Sequence, residues 1–393
     1  MSQGGLQGLR VIEMGRLIAG PFCGQLMGDH GAEVIKIEQP GEGDPMRSWG
    51  RGKPVWFPVI ARNKKCITLN LRSARGQELA RRLILKADFL LENFRPGTLE
   101  KWNLDYASLR ELHRGLIMIR VSGYGQTGPY AGRAGYGSIG EAMGGMRYLA
   151  GDPSTPPSRV GLSIGDALAA TFACLGALTA LNHRHRTGEG QVVDSAIYEA
   201  VLAMMESTVP EYTEAGVIRE RTGSILPKIA PSNVYRTADG QILIGANQDS
   251  VWRRLAECMG RPELGSDPRF ADHVARGENQ AEIDALIEAW TVTLPTAQVL
   301  EKMHAGGVPA GQIYRAPEMI ADPQFAAREA LVKVAHPVFQ NLWMQNVAPK
   351  LSGTPGEVAW PGPELGQHNE EIYGGLLGLG AAERAALQAE GVI

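Results

Sequence analysis

Short apolar runs alternate with amphipathic segments along the first 125 residues of the chain. The runs are rich in β-branched residues and read LRVIEM (9–14), AEVIKIE (32–38), CITLNL (66–71), DFLLEN (88–93) and LIMIRVS (116–122). The segments between them, such as SARGQELARRLILKA and LDYASLRELH, place apolar residues at helical spacing. This alternation predicts βαβ units and a mostly parallel sheet. Ligands of such sheets bind outside the carboxyl ends of the strands, so the loops after residues 38, 71, 93 and 122 are the first candidate sites.

The pattern changes in the second half of the chain. A glycine-rich stretch covers 123–151, and the segment from 166 to about 185 predicts one long helix. Residues 209–232 contain three prolines and little periodicity, which predicts an irregular crossover into a second unit. That unit begins with a hairpin at Asp239-Gly240 and continues with helical spacing at 250–259, 279–293 and 296–305.

Length and composition narrow the class of protein. A chain of 393 residues predicts two domains, and a net charge of −3 argues against binding to nucleic acid or to an anionic membrane. No signal-peptide pattern is evident, and the apolar run Ala167–Leu181 is shorter than the roughly 20 residues of a membrane span. We therefore expect a cytoplasmic protein. The four cysteines are far apart in the sequence and are expected to pack in the core; they are Cys23, Cys66, Cys174 and Cys258.

Several common catalytic motifs are weak or missing. The sequence GYGQTG (123–128) fits the glycine pattern of a dinucleotide site, but PYAG follows it where a helix should begin. A nicotinamide-dependent oxidoreductase therefore remains only a remote alternative. No serine-nucleophile elbow is present, and no cysteine stands beside a histidine. We expect no metal site, since His183 and His185 lie on different faces of the predicted helix.

A single acid, Asp166, stands at the start of the long apolar helix. Ser163 and Asp166 match a capping box, and helix caps far outnumber catalytic acids. Two features favour another role. The preceding residues are rich in glycine, which lets backbone approach a ligand, and the helix is apolar on all sides, which predicts its burial. A desolvated carboxylate that the helix dipole keeps ionised is a competent nucleophile, so the residues alone leave both roles open.

An ordered series of segments resembles the family III CoA-transferases, the group of formyl-CoA transferase and carnitine CoA-transferase. The resemblance covers nearly the whole chain, and its specificity comes from the order of the segments. They are AGPFCGQLMGDHGAEVIKIEQPGEGDPMR (19–47), ARNKKCITLNLRS (61–73), ENFRPGTLEKW (92–102), SGYGQTGPYAGRAGYGSIGEAMGG (122–145), VGLSIGDALAATFACLGAL (160–178), RHRTGEGQVVDSAIYEAVLA (184–203) and LGQH (365–368).

The resemblance implies a fold and an assembly. It implies an α/β protein with a Rossmann-like large domain, a mostly parallel sheet and a smaller α+β domain. On this basis we place the first part of the large domain at 1–210, a crossover linker at 211–230, the small domain at 231–325, and a return linker with the rest of the large domain at 326–393. The family also implies an interlocked homodimer, with acyl-CoA and a carboxylic acid as substrates and no tightly bound cofactor.

The resemblance also assigns roles to residues. It makes Asp166 the nucleophile that carries CoA as an aspartyl thioester. It places Leu69 and Arg72 beside the adenine and phosphate end of CoA and Asn93 and Phe94 along the pantetheine arm. Lys101 stands where the family has an arginine near the phosphates, which keeps the charge but loses the bidentate geometry. Gln39 departs from the family, which often has a basic residue there, so the phosphate contact of that position is in doubt.

Other residues are candidates for binding the acyl group. Gly144 and Gly145, with Gly135 and Gly137, offer backbone N–H groups for an oxyanion, and we add Tyr136 and Glu141 as substrate candidates. The related 2-methylacyl-CoA racemases characteristically have Gly-His-Asp where Gly135-Tyr136-Gly137 stands here. The missing histidine makes a racemase the weaker alternative, and a non-catalytic CoA-binding protein is more remote.

The substrate acids are the least defined part of the prediction. The segments GYGSIGEAMGGMRYLAG and ESTVPEYTEAG are most similar to the branch that uses succinyl-CoA with itaconate, citramalate, mesaconate or glutarate. The second carboxylate of such a substrate requires a cation near the nucleophile. The candidate cations are Arg47, Arg62, Arg133, Arg221 and Lys228. A small-domain loop covers the active site of formyl-CoA transferase, and the corresponding segment here, IGANQDS (244–250), has one glycine.

Overall fold

The chain divides into two compact units in the computed structural model, which describes residues 4–393. The first unit contains the residues up to Arg147 together with Val160–Gly216 and Ala326–Ile393, and the second contains Tyr148–Arg159 and Val217–Phe325. The short segment Tyr148–Arg159 falls inside the range predicted for the large domain but belongs with the second unit. Residues 211–216, predicted as linker, belong with the first.

Strands and helices alternate through the first half of the chain, as the apolar pattern predicts. In chain order the elements are β1 (Arg10–Glu13), α1 (Ala19–Asp29), β2 (Glu33–Glu38), a 3₁₀ turn (Pro45–Ser48), α2 (Trp56–Ile60), β3 (Lys64–Thr68), α3 (Ala74–Ile84), β4 (Phe89–Glu92), α4 (Thr98–Lys101), α5 (Tyr106–Leu112), β5 (Ile117–Ser122), α6 (Gly137–Met143), α7 (Met146–Leu149), α8 (Ile164–Thr187), β6 (Val192–Ala196), α9 (Ile197–Leu202) and α10 (Thr208–Ala215).

The first unit is built on a six-stranded parallel sheet with the order β3-β2-β1-β4-β5-β6. The predicted parallel α/β class is therefore confirmed. Strand order reverses between β1 and β4, which pair from Val11 with Phe89 to Glu13 with Leu91. The loops that leave β1 and β4 run in opposite directions, and the crevice between them is where open sheets of this type bind ligands.

Helices cover both faces of this sheet. One face packs against Leu83 of α3 and Leu109 of α5, together with Tyr373 near the C-terminus. The other packs against Cys23 of α1 and Ala173 of α8. Strands buried on both faces need continuous apolar sequence, and this explains why β4 and β5 read FLLE and IMIRVS.

Helix α8 is longer and less buried than the sequence predicts. By length and composition it is the one helix in residues 4–393 that could cross a membrane, and 39 % of its most apolar window is buried in the chain. It runs from Ile164 to Thr187, about two residues beyond each end of the predicted range of 166 to about 185. The prediction that α8 is buried on all sides is wrong for the single chain. Small residues such as Ala169 and Ala173 face the core, whereas Leu175 and Leu178 are 59 % and 38 % exposed.

The second unit contains a small antiparallel sheet with helices. Its elements are β7 (Ser232–Arg236), β8 (Gln241–Gly245), α11 (Asp249–Cys258), a 3₁₀ turn (Pro262–Gly265), α12 (His273–Glu278), α13 (Gln280–Thr291), α14 (Thr296–Ala305), β9 (Ala310–Gln312), α15 (Ala316–Ala321) and α16 (Pro323–Ala327). The hairpin at Asp239-Gly240 is confirmed as β7 and β8, and β9 pairs with β8 on its other side. The segment IGANQDS forms the end of β8 and the start of α11.

The chain then returns to the first unit. A hairpin of β10 (Leu331–His336) and β11 (Gln340–Gln345) precedes a π-helix (Glu370–Leu376) and α17 (Ala381–Ala389). Two elements of the structure, the β10–β11 hairpin and α10, differ from the sequence prediction. The β10–β11 hairpin was not predicted from the sequence, and α10 occupies the start of the segment predicted as an irregular crossover. Its sequence TVPEYTEA carries proline at the third helical position, where the missing N–H costs no helical hydrogen bond.

Candidate active site

Asp166 lies at the N-terminus of α8, at the position that the capping pattern predicts. Ser163 is the N-cap residue and Asp166 is the third residue of the helix. The carboxylate is half-buried, and the residue before it, Gly165, is buried. Backbone N–H groups in the first turn of a helix lack helical partners and carry partial positive charge, so a carboxylate is stabilised there.

Gly137, the first residue of α6, lies directly against this carboxylate. A Cβ atom built on Gly137 would be 2.2 Å from Oδ2 of Asp166 and 2.7 Å from its Cγ. The carbonyl oxygen of Gly137 also lies 3.0 Å from the position that a Cβ atom would take on Gly165. Two glycines thus bring the starts of α6 and α8 together, and the absence of a side chain at 137 makes room for Oδ2 of Asp166.

The remaining glycines of α6 pack against α9. A Cβ atom on Gly140 would be 2.4 Å from Cγ2 of Ile197, and one on Gly144 would be 2.6 Å from Cβ of Val201. Residues at positions i, i+3 and i+7 of a helix share one face, so Gly137, Gly140 and Gly144 form one side-chain-free stripe. This stripe is what lets α6 lie against the backbone of its neighbours.

The geometry corrects part of the predicted oxyanion site. The N–H of Gly144 donates to the carbonyl of Gly140 at 2.8 Å, and that of Gly145 donates to Ala142 at 3.3 Å. These two amides are used inside the helix and its cap, so they do not offer donors to a substrate. Gly135 lies instead against Gly123 and Tyr124, and Gly137 is the member of the predicted set that adjoins Asp166.

The buried Glu141 and the partly buried Arg147 form an ion pair beside the same helix terminus. The side chain of Glu141 is 2 % exposed, and its Oε2 accepts a hydrogen bond from Nη2 of Arg147 at 2.9 Å. Its Oε1 accepts from the N–H of Gly165 at 3.5 Å. Glu141 therefore lies in the immediate surroundings of Asp166, whereas the other predicted substrate residue of this segment, Tyr136, is 68 % exposed.

A cleft of about 240 Å³ opens at the carboxyl ends of β1, β2, β3 and β4. It brings together Leu69, Arg72 and Phe94, three of the residues predicted to bind CoA, with Gln39. Phe94 packs edge-to-face on Trp102 with ring centroids 5.3 Å apart. Arg72 is exposed and precedes the N-terminus of α3, whose N-cap Ser73 accepts from the N–H of Gly76. Helix termini of this kind attract phosphate groups.

Arg16 is a lining residue of this cleft that the sequence analysis missed. It lies in the loop after β1, a strand end of the same kind as those that follow residues 38, 71, 93 and 122. Arg16 is exposed, and its backbone is clamped by Asn93, which accepts from the Arg16 N–H at 2.8 Å and donates to its carbonyl at 2.9 Å. The amide of Asn93 thus holds the wall of the cleft. Lys101 is exposed at the end of α4 and lies outside the cleft lining, whereas Thr98 of the same helix is part of it.

A buried network of charges supports the floor of the cleft. The ammonium of Lys36 contacts Glu13 at 3.1 Å, Asp44 at 2.9 Å and the carbonyl of Gly15 at 2.7 Å. Lys64 contacts the other oxygen of Glu13 at 2.7 Å. Burial alone would lower the pKa of Lys36, but the carboxylates of Glu13 and Asp44 outweigh it and raise that pKa above its usual value.

This network fixes the loop that carries Arg16. Both oxygens of Asp44 accept from the N–H of Leu17 at 3.2 Å, and Leu17 has a left-handed φ of 62°. Such a backbone conformation is costly for a residue with a side chain and persists only where surrounding contacts hold it. The charges beneath the cleft therefore determine the path of the β1 loop.

The predicted cations for a second carboxylate are engaged elsewhere. Arg47 binds both oxygens of Glu38 at 2.7 Å, and Arg62 is buried against Asp29 at 2.6 Å. Arg133 is exposed and stacks on Tyr130, 3.6 Å from the ring centroid. Arg221 and Lys228 belong to the second unit, where Arg221 donates to the carbonyl of Tyr148 at 3.0 Å and Lys228 forms an exposed ion pair with Glu278.

The structure also bears on the competing motifs. β5 ends at Ser122 and the next helix, α6, begins at Gly137, so the third glycine of GYGQTG does not open a helix on that strand. This is the feature that a dinucleotide site requires. Within residues 4–393, no group of three or more His, Cys, Asp or Glu side chains is arranged to hold a metal ion.

Comparisons with known proteins agree with this site and with the fold. The model of CoA-transferase family III matches residues 6–369. The chain is 60 % identical to a succinyl-CoA–D-citramalate CoA-transferase of Chloroflexus aurantiacus, over 99 % of this chain and 98 % of that protein. It is 40 % identical to the beta subunit of succinyl-CoA–L-malate CoA-transferase of the same organism, over 95 % and 94 %. A crystal structure of a CAIB/BAIF family protein from Brucella suis superposes with a TM-score of 0.84 at 33 % identity, over 99 % of this chain and 100 % of that one.

Proposed function

Because the chain belongs to CoA-transferase family III, we propose that it transfers CoA from succinyl-CoA to a dicarboxylic acid of four or five carbons. The relative at 60 % identity is a succinyl-CoA–D-citramalate CoA-transferase, and this supports citramalate as the first acceptor. Itaconate, mesaconate and glutarate follow as chemically similar acceptors. Each step exchanges an acyl group between carriers of similar transfer potential, so the reaction needs no ATP.

The observation that carries the proposal is the contact of Asp166 with Gly137. The carboxylate lies in the first turn of α8, where the helix terminus stabilises its charge, and Gly137 places no side chain beside Oδ2. A carboxylate whose charge is stabilised at a helix terminus is a competent nucleophile, and we assign this role to Asp166.

The chemistry proceeds by attack of the Asp166 carboxylate on the thioester carbonyl of the donor. The C–S bond breaks, which leaves a mixed anhydride on Asp166 and a CoA thiolate. The thiolate attacks the aspartyl carbonyl and forms an aspartyl-CoA thioester, while the donor leaves as its free acid. The same two steps then run in reverse with the acceptor. Its carboxylate attacks the aspartyl-CoA thioester, which releases the CoA thiolate and forms a new mixed anhydride. The thiolate attacks the acceptor carbonyl of this anhydride, which releases the new acyl-CoA and the free Asp166 carboxylate.

We assign the binding of CoA to the cleft at the strand ends. Its volume of about 240 Å³ holds a part of a molecule as long as CoA, so the rest extends beyond it. Phe94, Leu69 and Trp102 supply apolar contacts, and Arg16 and Arg72 supply the positive charge that the phosphates require. Arg16 lies in the same cleft as Gln39 and thereby compensates for the cation that this position lacks.

A trapping experiment with two matched carboxylates tests the role of Asp166. Asp166→Asn is expected to lower CoA transfer from succinyl-CoA by at least about 10³-fold, because removal of a nucleophile eliminates the covalent route. Incubation with succinyl-CoA followed by hydroxylamine or borohydride should modify Asp166, as read by peptide mass spectrometry. The control is Asp105→Asn, since Asp105 caps α5 by accepting from the Ser108 N–H at 3.0 Å. An unmodified Asp166, or an active Asp166→Asn variant, would refute the proposal and leave Asp166 as a cap of α8.

The acceptor is identified by a panel of acids incubated with succinyl-CoA. We expect new CoA thioesters with citramalate and other dicarboxylates, detected by mass spectrometry, and much slower transfer to monocarboxylates such as butyrate. Exchange of deuterium into the α-carbon of a 2-methylacyl-CoA without any acceptor would instead favour the racemase reaction.

We also propose that the chain acts as a homodimer. Apolar side chains are exposed along the outer face of α8 and around its start, notably Leu175 at 59 %, Leu162 at 68 % and Tyr136 at 68 %. Contiguous exposed apolar surface on a protein often marks an interface. Light scattering during size-exclusion chromatography should give twice the chain mass of 42.3 kDa, and a monomer at micromolar concentration would refute this.

A further inference from the structure

A dicarboxylic substrate needs a cation for the carboxylate that does not react. The cations expected from the sequence in the first unit do not supply one. Every side-chain nitrogen of Arg47 and Arg62 already donates a hydrogen bond, and Arg133 stacks on an exposed tyrosine. An unpaired carboxylate in a partly closed site would lose its hydration without compensation. The proposed function therefore requires another cation near Asp166 to bind the distal carboxylate.

The carboxylate of Glu141 connects Arg147 to the start of α8. Nη2 of Arg147 is 2.9 Å from Oε2 of Glu141, and the other oxygen of Glu141 is 3.5 Å from the amide nitrogen of Gly165, the residue that precedes Asp166. Cγ of Glu141 also lies 3.1 Å from the position that a Cβ atom would take on Gly165. The guanidinium of Arg147 and the residue that precedes Asp166 thus contact the same buried side chain.

The guanidinium of Arg147 keeps donors available. Its Nε–H is buried and has no hydrogen-bond partner within residues 4–393, although the side chain as a whole is 25 % exposed. Buried donors without a partner are rare in folded proteins, and each asks for an explanation such as a bound ligand or water. A guanidinium has five N–H donors in a planar fork, so the single bond from Nη2 to Glu141 leaves others for a second carboxylate.

We propose that Arg147, oriented by Glu141, binds the distal carboxylate of the dicarboxylic acyl group while the thioester end meets Asp166. The inference rests on the proposed function, since a substrate with one carboxyl group has no use for this cation. Glu141 holds the guanidinium in one orientation, so Arg147 determines specificity for the acyl group, and Glu141 acts as its positioning residue.

The test compares two donors that differ in one group. Butyryl-CoA has the chain length of succinyl-CoA, with a methyl group in place of the distal carboxylate. The readout is the second-order rate of covalent labelling of Asp166 by each donor, measured by intact-protein mass spectrometry after borohydride. We expect Arg147→Met to lower the rate with succinyl-CoA by 100-fold or more, to leave the rate with butyryl-CoA unchanged, and Arg147→Lys to restore part of the loss.

Two further variants keep the test decisive. The double variant Glu141→Gln/Arg147→Met leaves no buried carboxylate without its cation, so it should fold and show the same selective loss. The control is Arg114→Met, which removes a surface ion pair with Glu189 and should change neither rate. Equal losses for the two donors, or no loss for succinyl-CoA, would overturn the assignment of Arg147. Labelling of the unmodified enzyme by neither donor would instead refute the covalent CoA transfer itself.

Discussion

At the scale of single residues, the candidate active site depends on Gly137, because any side chain at this position would overlap the Asp166 carboxylate. Gly137 has no special backbone conformation, and an alanine there would be favoured in a helix over glycine by about 1 kcal/mol. The space beside it is nevertheless occupied by the Asp166 carboxylate, with Oδ2 at 2.2 Å from the position of a Cβ atom. Glycine at this position is therefore explained by the neighbour and not by the helix.

Gly137→Ala is expected to lower CoA transfer by about 10²-fold while the protein stays folded. The methyl group must push the Asp166 carboxylate aside, and a displacement of roughly 1 Å of a reacting group can cost this much. Steady-state kinetics with succinyl-CoA and circular dichroism are the measurements.

Gly132→Ala is the matched control, because a Cβ atom on this nearby glycine would meet nothing within 4 Å. It should keep full activity. Equal activity of the two variants would contradict the contact between Gly137 and Asp166.

At the scale of elements, α6 and α8 each contribute residues to the candidate active site. α8 packs its small residues, including Ala169 and Ala173, onto the sheet and presents Asp166 at its first turn. α6 packs its glycine stripe on α9 and brings Gly137 and Glu141 to that turn. Small residues allow close backbone approach in both helices, and this close approach positions polar groups that the sequence spaces far apart.

Gly140→Ala is expected to lower the free energy of unfolding by about 1–3 kcal/mol, the usual cost of overpacking a core. Its Cβ atom would lie 2.4 Å from Ile197 of α9. Helix propensity alone predicts the opposite sign, a gain of up to about 1 kcal/mol. The free energy of unfolding of the variant, measured by urea denaturation, distinguishes a loss from overpacking from a gain through helix propensity.

Ser138→Ala, on the exposed side of α6, is the reference for this measurement. It should change stability by less than about 0.5 kcal/mol. A stabilising Gly140→Ala variant would show that α6 does not pack closely on α9.

At the scale of the whole molecule, the C-terminal segment closes the large unit by covering the edge strand β3. The N–H of Cys66 donates to Nδ1 of His368 at 3.1 Å, and the N–H of Thr68 donates to Oδ1 of Asn369 at 2.9 Å. The hydroxyl of Tyr373 donates to the Thr68 carbonyl at 2.6 Å. The exposed edge of a parallel sheet is thereby covered by residues about 300 positions later in the chain.

This attachment makes stability depend on pH. Burial lowers the pKa of His368, and its Nδ1 is an acceptor that a protonated ring cannot be. The unfolded chain therefore takes up this proton at a higher pH than the native one. The stability is fully present above the unfolded pKa of about 6.5 and is lost as the pH falls from there towards the native pKa. Burial lowers the pKa of His336 with the same sign.

Chemical unfolding between pH 7.5 and about 5 measures this effect, with a slope of up to about 1.4 kcal/mol per pH unit for each proton. His368→Asn keeps an acceptor but does not titrate, so the slope should decrease. His185→Asn, on an exposed part of α8, should leave it unchanged. An unaltered slope in His368→Asn would show that this ring does not titrate with folding.

The predictions from the sequence were most accurate where the physics is local. The strands near residues 10, 33, 64, 89 and 117 and the hairpin at Asp239-Gly240 follow from short patterns, and the structure has them within a few residues. The segment around Leu331–Gln345 was missed because its strands mix polar and apolar residues without clear alternation. The oxyanion role of Gly144 and Gly145 was wrong because glycine content does not reveal whether an amide is already bonded.

The sequence by itself determined the α/β class, the N-terminal position of Asp166 on its helix and the membership of a family that transfers CoA. Periodicity, caps and ordered motifs are properties of neighbouring residues, so a linear reading captures them. Only the tertiary structure decided that Gly137 meets Asp166, that Arg16 joins Arg72 in one cleft, and that Glu141 joins Arg147 beside the carboxylate. These contacts arise from the crossing of strands and helices distant in the chain, and the close packing of small residues sets their distances.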